Sequence, residues 1–327
     1  MKSVFGNNII YSIFGESHGD TMGITIHGLP SGLEIDYDFL KSELERRKPK
    51  SSLNTKRKED DEFKIISGVF NGYTTGAPVT ILIDNKDIDS SNFTKGVIRP
   101  GQSDYTSYIS SDGYYDYRSG GHLSGRLTSL IVLAGAISKK ILAKQGVEIS
   151  ASIEHKIKNK ENDTTGGIVK VVAKNIKAGI GEPFFDSVES VLSHLFFSIP
   201  SVKAVEFGLG KEFAYLYGSE CIDELEFASG KVNFKENYNG GINGGITNGC
   251  DIVSHITFKP ISSIKKEVNT VNLETKENIK YINKGRNDSN ILDRSLVIVE
   301  SMMAIGLLEL YFSYNGRNGI KWLKQVY

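Results

Sequence analysis

The sequence predicts a mixed α/β (α+β) fold built as a single large domain, and three observations carry that expectation. Apolar segments of strand length alternate with longer segments whose apolar residues recur at helical spacing. The 327 residues are enough to bury a large core. No low-complexity linker divides the chain and only 7 prolines occur, so residues 1–327 read as one domain.

The elements follow in order. Residues 8–14, 63–70, 78–84, 167–172 and 251–258 are apolar runs of strand length bounded by turn-forming residues. Residues 38–47 place Leu40 and Leu44 on one helical face. A longer helix is expected over 124–144, where Leu127, Leu130, Ile131, Ala134, Ile137 and Ile141 recur at helical spacing. Residues 187–199 and 294–313 behave likewise, whereas the Lys- and Asn-rich stretches 155–163 and 264–290 read as solvated connections. The pattern leaves the strand order open.

Composition narrows the classes of function. Lys plus Arg equals Asp plus Glu at 39 each, so no global charge favours nucleic acid or a membrane surface, and any anion site must be local. The opening residues lack the apolar stretch of a secretory signal, and the run 130–137 is too short to span a bilayer. Residues 296–312 are longer but contain Glu300 and Glu309, which favours a core helix. Cys221 and Cys250 form no Cys-x-x-Cys pair, so neither a zinc site nor a disulfide framework is expected, and a cytoplasmic location fits. P-loop, dinucleotide-binding and His-Glu-x-x-His motifs are absent. His27, His155, His194 and His255 have no neighbouring chemistry and read as structural.

Several short segments do carry chemistry. GESHG at 15–19 literally matches the G-x-S-x-G elbow of serine hydrolases, with Ser17 as nucleophile. That elbow needs a strand–turn–helix context, and the segment that follows is strand-like and broken by glycine and proline. A tight turn presenting His18 between glycines remains. Arg46-Arg47-Lys48-Pro49-Lys50 ends a helix; it reads as a solvated basic face or as a site for a polyanion, since guanidinium forks match phosphate and carboxylate. RPGQSDYT at 99–106 and DYRSGGHLSGR at 116–126 bring Arg99, Arg118 and Arg126 beside glycines that lead into a helix. An anion at that helix N-terminus and a packing turn explain the pattern equally well. KPISS at 259–263 and GRND at 285–288 read as loops when taken alone.

Together and in this order, these segments resemble the chorismate synthase family. To GESHG, RRKP at 46–49, RPGQSDYT and DYRSGGHLSGRLT at 116–128 are added SGVFNGYTTG at 67–76, GGINGGITNG at 240–249, KPISS and GRNDSN at 285–290. The match runs along essentially the whole chain. The resemblance implies a β-α-β sandwich, a homotetramer, and reduced FMN supplied by an external reductase, since no reductase domain is appended. The implied reaction is an anti 1,4-elimination that takes phosphate from 5-enolpyruvylshikimate-3-phosphate, a small-molecule substrate, without net redox change. Carried over by position, His18 would give a proton toward the leaving phosphate. Arg46, Arg47, Arg99, Arg118 and Arg126 would hold its anionic groups, and Asp288 would form a hydrogen relay with the flavin. His122, Leu123, Ser124, Gly244, Lys259, Pro260, Ile261, Ser262, Ser263 and Arg286 would line the FMN.

Departures from the family pattern fall at defined positions. The second family histidine, in R-P-G-H, is Gln102, which donates hydrogen bonds but is never a cation near neutral pH. Losing a general acid–base group typically costs ~10²–10⁴-fold. His122 is a candidate to take over that role. Asn287 replaces another family histidine, and Leu53 stands where an arginine follows the basic block. A catalytically impaired FMN- or phosphate-binding homologue is therefore the alternative, and a hydrolase using Ser17 the third reading.

Overall fold

A computed structural model describes residues 2–48, 61–86, 88–228, 230–283, 285 and 290–318. Arg286, Asn287 and Asp288, and the departure at Leu53, lie outside the described residues. The chain divides into two compact units, one from Met1–Ala134, Lys156–Gly167 and Lys259–Arg294, the other from Gly135–His155, Ile168–Phe258 and Ser295–Tyr327.

The first unit is built on a five-stranded sheet. Its spatial order is Val4–Phe5, Ile10–Phe14, Thr21–His27, Val79–Asp84 and Phe63–Ser67, with every neighbouring pair antiparallel. The register lines up Ile13, Ile24, Ile81 and Ile65 across four strands, and β-branched rows of this kind stabilise a pleated surface. Val79, Ile81 and Ile83 are fully buried, as the period-two pattern requires. The expected strand over 63–70 is broken at Gly68, whose φ of 82° no side chain adopts readily; a Cβ there would lie 2.6 Å from the Pro78 carbonyl oxygen. Helix α1, Tyr37–Arg47, starts where Asp36 accepts a 2.9 Å bond from the Phe39 backbone N–H. It buries Leu40 and Leu44 and ends on Arg46 and Arg47, where a helix terminus favours cations.

Three expectations need correction. The stretch 264–290 is more than a solvated connection, because Val268–Asn272 and Glu277–Tyr281 pair as a hairpin. Its alternating exposure hides the strand signal behind lysine and asparagine. A short helix α2, Asp104–Ser110, starts inside RPGQSDYT and runs past its end, in a sequence too polar to show helical periodicity. The helix expected over 124–144 is α3, Thr128–Ala143, preceded by a 3-10 turn at Gly125–Leu127. The glycines 120 and 121 therefore do not open the helix; they occupy φ values of 83° and 53° in the segment before it.

The second unit has a four-stranded sheet in the order Val202–Phe207, Ile252–Phe258, Gly167–Lys174 and Glu148–Lys156. It also contains α4, Val188–Phe197, capped by Ser187 at 3.1 Å from the Ser190 N–H, and most of α5, Leu292–Asn318. Residues Leu292–Asn315 are long and apolar enough to cross a membrane, but the apolar window is 89% buried, as a core helix is. Glu300 is tolerated there because Lys139 pairs with it at 2.6 Å and the Ala151 N–H donates to it at 3.0 Å. Gly135 lets α3 approach α5 closely, since a Cβ would run into the backbone and side chain of Ser301. Gly135→Ala is expected to destabilise by about 1–3 kcal/mol through overpacking, although alanine is the better helix former. A urea midpoint equal to or above wild type would contradict this.

Candidate active site

The site residues that the structure describes lie in the first unit, apart from Gly244. GESHG forms the turn between strands Ile10–Phe14 and Thr21–His27. Gly15 has φ of 94°, and a Cβ there would stand 2.5 Å from Met22 Cα, so the corner excludes any larger residue. The Gly19 N–H donates to the Glu16 carbonyl at 3.2 Å, closing the turn. Ser17 Oγ is completely buried and has no hydrogen-bond partner among the described residues. A serine nucleophile needs a base within reach and a strand-to-helix corner; Ser17 has neither, which removes the hydrolase reading.

The DYRSGGHLSGR segment is fastened to this turn. The Ser17 N–H donates to the Gly121 carbonyl at 3.1 Å. His122 holds the Gly15 carbonyl through Nδ1 at 2.7 Å and Ser3 Oγ through Nε2 at 2.6 Å. A carbonyl only accepts, so Nδ1 carries the proton in that bond. Both nitrogens are thus engaged in joining three segments of chain, and this assigns His122 to holding the turn. His18 itself is 5% exposed. Its Nδ1 lies 3.1 Å from Ser90 Oγ, and its ring meets Phe93 edge-on at 5.4 Å.

Every one of the five anticipated arginines is paired with a carboxylate, in two different ways. Arg47 and Arg126, both at least nine-tenths buried, converge on the buried Asp61. Arg47 also donates to Thr128 Oγ1 at 3.0 Å and to the Gly125 carbonyl at 2.9 Å, which ties the end of α1 to the start of α3. Arg126 Nε reaches Asn85 Oδ1 at 3.3 Å. Arg99 clasps Asp104 with two bonds of 2.6 and 2.7 Å. Burial works against the Arg99 charge, but its bonds to Asp104 and the charge of that carboxylate outweigh it and leave its pKa above the ordinary arginine value. Arg118 clasps Asp116 at 2.8 and 2.9 Å. Burial raises the Asp116 carboxyl, yet the bonds and charge of Arg118, with the charge of His18, hold it below the usual range. Arg46 pairs with Glu43 on its own helix at 2.8 Å and is the most exposed of the five.

The loops 99–102 and 259–263 meet each other. Gly101 has φ of 73°, and a Cβ there would lie 2.5 Å from Ser262 Oγ. Lys259 Nζ and Ser262 Oγ both donate to the Gly101 carbonyl at 2.9 Å. Thr164 Oγ1 donates to the Ile261 carbonyl at 2.5 Å, whereas Pro260 is exposed. Gln102 Nε2 donates to Ser263 Oγ at 2.7 Å. Beside these two loops lies a small recess, lined by Arg99, Gln102, Ser262, Ser263, Tyr281 and Asn283 among others. Burial raises the Tyr281 phenol, so it stays neutral and able to donate at ordinary pH.

Leu123 is exposed and Ser124 caps the 3-10 turn at 3.4 Å, both beside His122. Gly244 belongs to the second unit, in the hairpin of Ile242–Asn243 and Ile246–Thr247, where its φ of 63° calls for glycine. Asp61, Asn85, Ser90, Phe93, Asp104 and Tyr281 escaped the sequence reading. Asp61 sits in an acidic run that reads as solvated surface, Asp104 stands inside RPGQSDYT, where the arginine carries the signal, and the other four occur in segments with no chemical signature of their own.

A family model described as chorismate synthase matches residues 9–161 and 152–312. The chorismate synthase of Thermococcus gammatolerans is 40% identical over 93% of this chain and 96% of its own. That of Chitinophaga pinensis is 41% identical over 93% and 95%. A solved structure titled "Crystal Structure of Chorismate Synthase" superposes with a TM-score of 0.75, covering 98% of this chain and 97% of that one at 22% identity, a likeness of fold.

Proposed function

The chain belongs to the chorismate synthase family, and from that premise we propose that it catalyses the anti 1,4-elimination of phosphate from 5-enolpyruvylshikimate-3-phosphate to give chorismate, with reduced FMN bound and no net redox change. The observation that carries this reading is convergence. Segments around residues 18, 47, 61, 85, 122 and 126 meet in one hydrogen-bonded and ion-paired network, with a histidine and two buried guanidiniums at its centre.

Three requirements of the reaction match these residues. A leaving phosphate needs a proton, and His18 is the donor assigned to it. Developing negative charge needs preorganised cations, and Arg47 and Arg126, fixed by Asp61, are assigned to that duty together with Arg99 and Arg118. Burial of His18 at 5% exposure keeps bulk water from competing for the proton. The departing C6 hydrogen is assigned to Asp288, outside the described residues.

The donor set along the loops 99–102 and 259–263 suits the hydrogen-bonding edge of a flavin. Gln102, Ser262, Ser263 and Asn283 offer neutral hydrogen-bonding groups suited to ring carbonyls and nitrogens, and Tyr281 adds an aromatic wall. His122, Leu123, Ser124, Lys259 and Arg286 complete the assignment made from the resemblance. When bound, reduced FMN would supply an electron-rich ring to the elimination. The enzyme is proposed to be a cytoplasmic homotetramer that draws reduced flavin from a separate reductase.

Anaerobic phosphate release from 5-enolpyruvylshikimate-3-phosphate with dithionite-reduced FMN tests the proposal. Release with chorismate formation is expected; FMN binding without release would favour the impaired homologue, for which Gln102 is the motivating residue. Gln102→His restores a group that can carry a proton, so the elimination rate is expected to rise roughly tenfold or more, with FMN affinity little changed. A fall in rate would show instead that the Gln102–Ser263 bond is itself required.

A further inference from the structure

We propose that Asn85, Ser90 and Phe93 are positioning residues for His18, holding both the turn that carries it and the ring itself in the orientation that delivers a proton; this rests on the role assigned to His18 above. These residues come from the polar segment after the strand Val79–Asp84, which has no chemical signature of its own.

Asn85 grips the turn from both ends. Its Nδ2 donates to the Glu16 carbonyl at 3.0 Å and to the Gly19 carbonyl at 2.7 Å, and these two residues bracket Ser17 and His18. Its backbone N–H donates to the Asp20 carbonyl at 2.9 Å. The amide orientation is determined chemically: two carbonyls demand the NH₂ side, and Arg126 Nε demands the oxygen. Asn85 is 8% exposed, so these bonds act away from bulk water. The same side chain therefore ties the histidine turn to Arg126, and through it to Asp61 and Arg47.

Ser90 and Phe93 hold the ring. Ser90 Oγ takes Nδ1 at 3.1 Å, and the proton transfer is assigned to Nε2. When His18 is an imidazolium, Nδ1–H donates to Ser90 Oγ and Nε2–H passes its proton to the leaving phosphate oxygen. The neutral ring that results keeps Nδ1–H bonded to the same hydroxyl, so no rotation of Ser90 is needed. A third group orienting a catalytic histidine is the logic of acyl-transfer triads, here with a hydroxyl in the orienting place. Phe93 packs edge-on to His18, and its face carries the Arg99 guanidinium at 5.1 Å, so one ring spaces the proton donor from a cation.

The test uses the intact chain with reduced FMN. Asn85→Asp keeps the shape and the acceptor facing Arg126 but removes both donations to the turn; kcat is expected to fall roughly 10–100-fold with KM within about threefold. Ser90→Ala is expected to lower kcat about tenfold, and Ser90→Thr to restore most of it by returning the hydroxyl. With ¹⁵N-labelled histidine and no ligand, the His18 nitrogens should give a single defined protonation pattern in wild type and in Ser90→Thr, and a mixture of tautomers in Ser90→Ala. This spectroscopic arm stands even if the Asn85 variant fails to fold. Wild-type kcat in both Asn85→Asp and Ser90→Ala, with His18→Ala inactive, would overturn the positioning proposal and leave the lyase reading intact. Full turnover by His18→Ala would instead overturn the lyase assignment of His18.

Discussion

His18→Ala is expected to lower anaerobic phosphate release by roughly 10²–10⁴-fold, the usual contribution of a general acid, while substrate KM changes little. The reason is that the substitution removes the proton and leaves the cations. Arg47 and Arg126 stay fixed by Asp61, Thr128 and the Gly125 carbonyl through bonds that do not run through the imidazole. The backbone of the turn stays closed by Gly19 to Glu16, by Ser17 to Gly121 and by His122 to Gly15. Binding and catalysis are thereby separable, and a loss confined to kcat is the signature of an interaction made in the transition state. A KM rise with kcat unchanged would place His18 among the binding groups. An unchanged urea midpoint, within about 1–2 kcal/mol, is the control that the lost Ser90 bond and Phe93 contact have not unfolded the site.

Asp61→Ala is expected to be the most damaging change to stability, at about 3–5 kcal/mol, the usual cost of removing one partner from a buried ion pair. Asp61 stands between two guanidiniums that are each less than 10% exposed. Without its carboxylate, Arg47 and Arg126 lose their common acceptor in a buried setting. Asp61→Asn keeps an acceptor but no charge, so it should fall between wild type and Asp61→Ala. Saturating inorganic phosphate should recover part of the loss if the vacated cations take up an anion, because ligand binding to the folded state stabilises it. A loss below about 1 kcal/mol would mean that water reaches the cluster and that the pair behaves as a surface salt bridge.

Local chemistry explains why so much of this fold is legible in sequence. Leu40 and Leu44 at helical spacing, the alternation through Val79, Ile81 and Ile83, and Glu300 inside an otherwise apolar run each report an element directly. The hairpin of Val268–Asn272 and Glu277–Tyr281 escaped because its exposed positions are filled by polar residues, and α2 because it has no apolar stripe. Turn chemistry is local as well. Gly15, Gly68 and Gly101 each hold a positive φ beside a close neighbour, and that demand is written as glycine in the sequence.

By itself, then, the sequence determined the class of fold, the glycine corners, and which segments hold the histidine and the arginines. Only the tertiary structure decided what those groups touch. Arg126 meets Asp61 across 65 residues of chain and Asn85 across 41; His18 meets Ser90 across 72. Periodicity reports a residue's relation to its own element, whereas an ion pair or a ring contact depends on which elements the folded chain brings together. For the same reason His122, which the motif alone made a stand-in for the missing histidine, is found with both nitrogens bound at Gly15 and Ser3, fastening the turn on which His18 is carried.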